Sequence, residues 1–211
     1  MPHLILLGDS IFDNERYTAG GPAVIRQVRS LLPAGWQASL LAIDGSVADD
    51  VPRQAGRIPS DATHLVLSAG GNDALRESPI IETRVSSTGE ALGLLANMAD
   101  TFGRSYRSAV DACMQRGLPL AVCTIYNGYF PDQIFQRIAS VALMVFNNVI
   151  IRTAVEKNLP VIDLRSICAA AEDYANPIEP SSVGGEKIAR AIAGLVTESN
   201  ARGARIVGRP Q

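Results

Sequence analysis

A serine, Ser10, stands directly after an apolar run near the start of the chain. The run Leu4–Leu7 is short and ends in a Gly-Asp-Ser sequence, which is typical of a buried strand that delivers a side chain to the edge of a sheet. A serine placed there is a candidate nucleophile, and such a serine needs a base to take its proton. Histidine is the usual base, but the only two histidines, His3 and His64, lie at or near the starts of predicted strands.

The elements that must position Ser10 follow from an alternation of short apolar runs with longer segments of helical periodicity. The predicted strands are Leu4–Leu7, Trp36–Ala42, His64–Ser68, Leu118–Thr124 and Pro160–Leu164. The predicted helical segments are Val24–Leu32, Val47–Arg57, Val85–Arg116 (as two pieces), Gln133–Lys157 and Glu186–Glu198. This alternation predicts a three-layer α/β/α fold whose five-stranded, mostly parallel sheet has a flavodoxin-like strand order.

The length of 211 residues suits one domain. We expect it to span residues 1–199, and we expect residues 200–211, which carry three arginines, to form a flexible basic tail.

Residues with polar side chains, and one glycine, follow the C-terminal ends of the predicted strands, where ligands bind in sheets of this kind. In chain order they are Ser10, Gly45, Asn72, Asp73, Tyr126, Asn127, Asn176 and Glu179. The two histidines fall at the opposite edge of the sheet, about 17 Å away, which is the length of a five-residue strand. We therefore expect the site to work without either histidine.

These strand-end blocks resemble those of the SGNH hydrolases, also called GDSL-type esterases. Gly8-Asp9-Ser10-Ile11 is similar to the first block of that family, Gly45 to the second and Gly71-Asn72-Asp73 to the third. The segment Gly184–Ala189 fits the approach to the family's last helix. The resemblance covers residues 4 to about 195, and it implies a serine esterase or acyl hydrolase acting on a small ester.

The resemblance also implies roles for three of these residues. Ser10 would be the nucleophile, and the oxyanion hole would be formed by the N–H groups of Ser10 and Gly45 with the side-chain amide of Asn72. Physical chemistry agrees, because glycine lets backbone approach a ligand and an amide donor adds no charge. The alternatives are a helix-capping serine, a turn glycine and a turn asparagine.

The last block departs from the family, which there carries an aspartate and a histidine. This sequence has Asn176 and Glu179 at the matching positions. We predict that Glu179 is the general base, with a pKa raised by burial from its usual ~4.3. Asn176 would hold the glutamate by hydrogen bonding. The alternative is that Glu179 caps or pairs with the last helix, or faces solvent.

The remaining site residues are expected around the substrate. Asp9, Asp13, Asp73, Tyr126 and Asn127 are predicted to line the pocket, together with Asn14 and Tyr17, although Asp9 and Asp73 are better suited to shaping loops through backbone hydrogen bonds. The aromatic side chains of Tyr129, Phe130 and Phe135 are predicted either to form an apolar wall for the acyl group or to pack in the core.

Composition narrows the function further. A net charge of −2 does not favour binding to nucleic acid. The apolar run at the N-terminus is too short for a signal peptide or a membrane span. Three cysteines without metal-ligand spacing indicate a cytoplasmic protein with no metal site, and we expect no cofactor.

Two other functions are compatible with parts of this sequence. One is a binding protein of the same fold that holds an acyl or carbohydrate ligand without turnover. The other, a nucleotide-binding protein, is disfavoured because the phosphate-binding glycine motifs are missing. The sequence does not specify an oligomeric state.

Overall fold

Five parallel strands form the central sheet of the protein, which this computed structural model describes over residues 1–197. They are β1 His3–Gly8, β2 Gln37–Leu40, β3 His64–Ser68, β4 Leu120–Cys123 and β5 Val161–Ile162. The strand order is β2-β1-β3-β4-β5, with every neighbouring pair parallel. The predicted fold class and flavodoxin-like order are therefore confirmed. The predicted tail, residues 200–211, lies outside the described residues.

Seven helices are described around this sheet. They are α1 Val24–Leu31, α2 Val51–Ala55, α3 Gly71–Arg76, α4 Thr88–Met114, α5 Gln133–Glu156, α6 Leu164–Ile167 and α7 Ser182–Thr197. Helices α1 and α7 pack together on one face of the sheet, while α2, α4 and α5 cover the other. Successive side chains of β1 point to opposite faces, so Leu4 and Leu6 enter the core under α1 and α7, and Ile5 and Leu7 enter the core under α4 and α5.

The helical segments differ from expectation in three places. The two pieces predicted within 85–116 form one continuous helix, α4, whose start Ser87 caps by accepting a hydrogen bond from the Glu90 N–H. The segment predicted at 47–57 is divided between a 3₁₀ turn, Ala48–Asp50, and α2. Helix α7 begins at Ser182 rather than Glu186. The two glycines of its first turn fit close against neighbouring chain: a Cβ on Gly184 would lie 2.2 Å from the Asp173 carbonyl oxygen.

A two-stranded antiparallel hairpin was not predicted. Its strands are β6 Tyr174–Asn176 and β7 Glu179–Pro180. The hairpin lies between α6 and α7 in the chain and carries Glu179.

Helix α5 is, by length and composition alone, the one helix within residues 1–197 that could cross a membrane, with a mean hydropathy of 1.7. Its inner face packs against α4 and β4. The Asn147 side chain is buried and bonds both backbone groups of Ile125, at 2.7 and 2.9 Å. The outer face exposes apolar side chains such as Ile134 and Val141. In this structure α5 thus packs against the domain on its inner face and exposes an apolar surface on its outer face.

Gly8, at the end of β1, sits where no larger residue fits. Its φ is +121°, and a Cβ there would lie 1.6 Å from the Ser68 carbonyl oxygen of β3. The backbones of β1 and β3 therefore approach closely where β1 delivers Ser10. Only glycine combines a positive φ with this approach at no steric cost.

We expect Gly8→Ala to lower the free energy of unfolding by more than ~4 kcal/mol, or to prevent folding, because the clash is with backbone. Urea unfolding measures this. Gly35→Ala is the matched control, since Gly35 also has a positive φ, +89°, but open space around it, and it should cost only about 1–2 kcal/mol. Equal effects of the two substitutions would contradict the steric explanation.

Candidate active site

Ser10 lies on a tight turn that its neighbour Asp9 builds. The Asp9 carbonyl accepts the N–H groups of Phe12 and Asp13, both at 3.2 Å, and the Asp9 carboxylate accepts the Ile11 N–H at 3.2 Å. Ser10 itself is 7% exposed. The turn therefore holds the serine at the C-terminal edge of the sheet, as the sequence predicts.

Two buried amide side chains fix this turn. Gln54 is not expected from the sequence, and Asn14 is predicted there as a pocket residue but does not line the cleft. Gln54 of α2 pairs with both backbone groups of Gly8, accepting its N–H at 2.7 Å and donating to its carbonyl at 2.9 Å. Asn14 accepts the Val24 N–H at 2.9 Å and donates to the Pro180 carbonyl at 3.3 Å. Asn14 thus joins the Ser10 loop, the start of α1 and the Glu179 hairpin.

The hairpin holds Glu179 through contacts with its backbone. The Asn176 side-chain oxygen accepts the N–H groups of Ile178 and Glu179, both at 3.0 Å, which closes the turn. The Tyr126 hydroxyl donates to the Ile178 carbonyl at 2.7 Å. Asn176 was expected to hold the glutamate. It does so through the main chain and not through the carboxylate, because its oxygen faces the turn's N–H groups.

Glu179 is 8% exposed and lines the same cleft as Ser10. Burial raises its pKa to about 7; hydrogen bonding from the Ser10 side chain acts in the opposite direction, and the negative charge of Asp44 raises it further. Within residues 1–197, Glu179 Oε2 is buried without a hydrogen-bond partner. A carboxyl group with an acceptor oxygen to spare and a pKa near neutrality suits proton transfer.

Asp9 is a second buried carboxyl group beside Ser10. It is 2% exposed, and burial raises its pKa to about 7. Hydrogen bonds from the Ile11 N–H and the Ser68 hydroxyl oppose this rise, while the charges of Glu179 and Asp73 add to it. One oxygen of Asp9 is thus occupied in holding the serine turn against β3.

The candidate oxyanion donors lie on three loops that hydrogen bonds connect. The Ile43 N–H donates to the Gly8 carbonyl at 3.0 Å, and the Asn72 amide donates to the Ser46 carbonyl at 2.9 Å. Gly45 has a φ of +81° in the middle of its loop. In the described part of the chain the Ser10 and Gly45 N–H groups donate to no protein acceptor. Ser10 and Asn72 line the cleft at this edge of the sheet, whereas Gly45 does not, so its role as a donor stays a prediction.

Two of the predicted pocket residues are committed to these loops. Asp13 accepts the Asp44 N–H at 2.9 Å, and Asp73 accepts the Ala48 N–H at 3.0 Å. Burial raises the pKa of Asp73 above its usual value. Neither residue lines the cleft next to Ser10. A contact of Asp13 or Asp73 with substrate stays a prediction.

A cleft of about 930 Å³, its open mouth included, extends from Ser10. Asp9, Tyr126, Asn127 and Glu179 line it, as does Asn72. Phe130 and Phe135 form part of its wall, in the position expected for an acyl-facing surface. Tyr129 is half exposed and stacks on Tyr174 instead, with ring centroids 6.3 Å apart.

No cation site accompanies this cleft among residues 1–197, where no three histidine, cysteine or acidic side chains come together in a way that could hold a metal ion. The three cysteines are buried thiols. His3 bonds Ser39 at 2.8 Å and lies 3.2 Å from Asp61, while His64 begins β3. Both histidines therefore lie at the N-terminal edge of the sheet, away from Ser10.

Comparison with known proteins gives a family match and a set of similar folds. A family model described as the GDSL-like lipase/acylhydrolase family matches residues 6–187. No curated protein matches the sequence significantly.

Three of the similar solved structures illustrate the range. An extracellular lipase from Streptomyces rimosus has a TM-score of 0.68 and 15% identity, over 91% of this chain and 98% of that one. A phospholipase A1 from Streptomyces albidoflavus NA297 has a TM-score of 0.65 and 14% identity, over 90% of this chain and 97% of that one. A carbohydrate acetylesterase from Sinorhizobium meliloti has a TM-score of 0.61 and 12% identity, over 93% of this chain and 98% of that one. At these identities the likeness shows the fold.

We expect Asn14→Ala to lower the free energy of unfolding by about 2 kcal/mol or more, because it leaves the Val24 N–H and the Pro180 carbonyl unpaired inside the protein. Thermal or urea unfolding measures the loss. Asn148→Ala, an exposed asparagine of α5, is the control and should change stability by no more than ~0.5 kcal/mol. A loss no larger than the control's would show that Asn14 does not join the loops.

Proposed function

The chain belongs to the GDSL-like lipase/acylhydrolase family, and from that premise we propose that it is a serine ester hydrolase in which Glu179 is the general base for Ser10. The observation that carries the proposal is that Ser10 and Glu179 line the same cleft, where the buried Glu179 carboxyl group has a pKa raised to about 7. The similar structures, described as a lipase, a phospholipase and an acetylesterase, support ester bonds as the substrate class.

Acylation begins when the ionised Glu179 carboxylate takes the proton of the Ser10 hydroxyl. The Ser10 oxygen then attacks the ester carbonyl carbon, and the carbonyl oxygen becomes an oxyanion. The N–H groups of Ser10 and Gly45 and the second hydrogen of the Asn72 amide are the proposed donors to that oxyanion. One such donor can be worth about 3–4 kcal/mol in the transition state.

Collapse of the tetrahedral intermediate breaks the bond to the alcohol oxygen. Protonated Glu179 gives its proton to that oxygen, and the alcohol leaves. A water molecule then attacks the acyl-serine, with Glu179 again taking a proton and returning it to Ser10 as the acid departs. The base is therefore regenerated in each turnover.

A glutamate base needs a different environment from a histidine base. Protonated histidine is a cation that a neighbouring carboxylate stabilises, whereas protonated glutamate is neutral. Asn176, which stands where the family carries the acid, adds no charge. Burial supplies instead what the base requires, a pKa near neutrality.

We expect Ser10→Ala to lower kcat/KM for a p-nitrophenyl ester by at least about 10³-fold, because the nucleophile is lost. Circular dichroism should show an unchanged fold. Ser140→Ala removes a serine of α5 that lies outside the cleft lining and should leave activity unchanged. Equal rates for Ser10→Ala and the wild type would refute the proposal. Wild-type protein that cleaves no ester of a broad panel, yet is thermally stabilised by one, would indicate a binding protein instead.

The pH profile tests the base. Because Glu179 must be ionised to accept a proton, wild-type kcat/KM should fall about tenfold per pH unit below about 7. Glu179→Gln should lose about 10²–10⁴-fold in activity and with it this acid limb. Glu186→Gln, an exposed glutamate of α7, is the matched control and should retain both. An unchanged acid limb in Glu179→Gln would assign the limb to another group.

A further inference from the structure

The cleft beside Ser10 is asymmetric, and its far part is built from apolar side chains. The turn after α3 contributes Ile80, α4 contributes Met98, and α5 contributes Phe146. Met98 and Phe146 belong to the core cluster under α4 and α5, at 9% and 2% exposure. A group entering the cleft beyond Ser10 therefore meets hydrocarbon on α5, on Met98 of α4 and on the turn after α3.

Two alanines keep this part of the cleft open. Ala139 and Ala142 lie about one turn apart on α5, and both line the cleft between the larger Phe135 and Phe146. Residues three or four apart on a helix share a face. A larger side chain at either position would project into the space that the cleft now leaves empty.

An acetyl group would leave most of this surface facing water. A linear alkyl chain would cover it, and each methylene that leaves water favours binding by about fourfold. From Ala139 to Phe146 the helix rises roughly 10 Å, which an extended chain of roughly eight carbons spans. The dimensions of the wall thus fit a medium-length acyl chain.

We infer that the substrate is an ester of a linear aliphatic acid of medium length, that its acyl chain lies in the cleft between α5 and the segment formed by α3 and the turn after it, and that Ala139 and Ala142 set the chain length accepted. This inference rests on the proposed ester hydrolysis at Ser10. It goes further by naming the acyl part and the residues that select it.

The test compares p-nitrophenyl acetate with p-nitrophenyl octanoate, which share a leaving group, at concentrations where the octanoate is monomeric. Wild-type kcat/KM should be at least tenfold higher for the octanoate. Ala142→Phe should lower the octanoate-to-acetate ratio at least tenfold, and Ala142→Leu should lower it by less. Val141→Phe places the same ring on the adjacent, exposed residue, outside the cleft lining, and should leave the ratio unchanged.

Binding to Ser10→Ala separates the two proposals. This variant should bind p-nitrophenyl octanoate at least tenfold more tightly than p-nitrophenyl acetate in calorimetry. Adding Ala142→Phe to it should remove the difference in affinity. If the wild type cleaves acetate at least as well as octanoate, the inference is wrong and the proposed hydrolysis stands. If no ester is cleaved but octanoate binds selectively, the proposed hydrolysis is wrong and the acyl site stands. A ratio that falls equally in Val141→Phe would also overturn the role of Ala142.

Discussion

Burial of one carboxyl group beside a serine is the constraint on which the site depends. In water the Glu179 carboxylate would be too weak a base to act on a hydroxyl. Removing it from water makes its ionised form less favourable and brings its pKa to about 7. This works only while the carboxyl stays buried and against Ser10, so the surrounding hydrogen bonds serve mainly to fix two backbone segments relative to each other.

Three side chains that never touch the carboxyl oxygens fix those segments. Asn176 closes the turn before Glu179, Tyr126 fixes the carbonyl of Ile178, and Asn14 ties the carbonyl of Pro180 to the serine loop. Each bond is made to backbone, whose position in turn sets where the side chains point. The site is therefore rigid in its main chain, which is the condition for oxyanion donors that must already be in place.

The sequence predicts the sheet well because short apolar runs leave few alternatives. β3 matches its prediction residue for residue, and the strand ends bring Ser10, Gly45 and Asn72 to one edge. The local sequence pattern does not predict hydrogen bonds whose partner lies far away in the chain. The Asn14 amide donates to a carbonyl 166 residues away, and Gln54 pairs with Gly8 across 46 residues, so neither contact shows a signal along the chain. The hairpin strand of two residues that carries Glu179 is too short for any periodicity.

The raised pKa of Glu179 also connects catalysis to folding. Below its ordinary value of 4.5 the carboxyl is protonated in the folded and the unfolded chain, and burying it then costs no charge. Between 4.5 and about 7 the unfolded chain has lost the proton while the folded one still holds it, so this group's contribution to the free energy of unfolding declines across that window, as urea titrations at several pH values measure. The proposed base is thus ionised and able to react under the conditions in which this residue least favours the folded state.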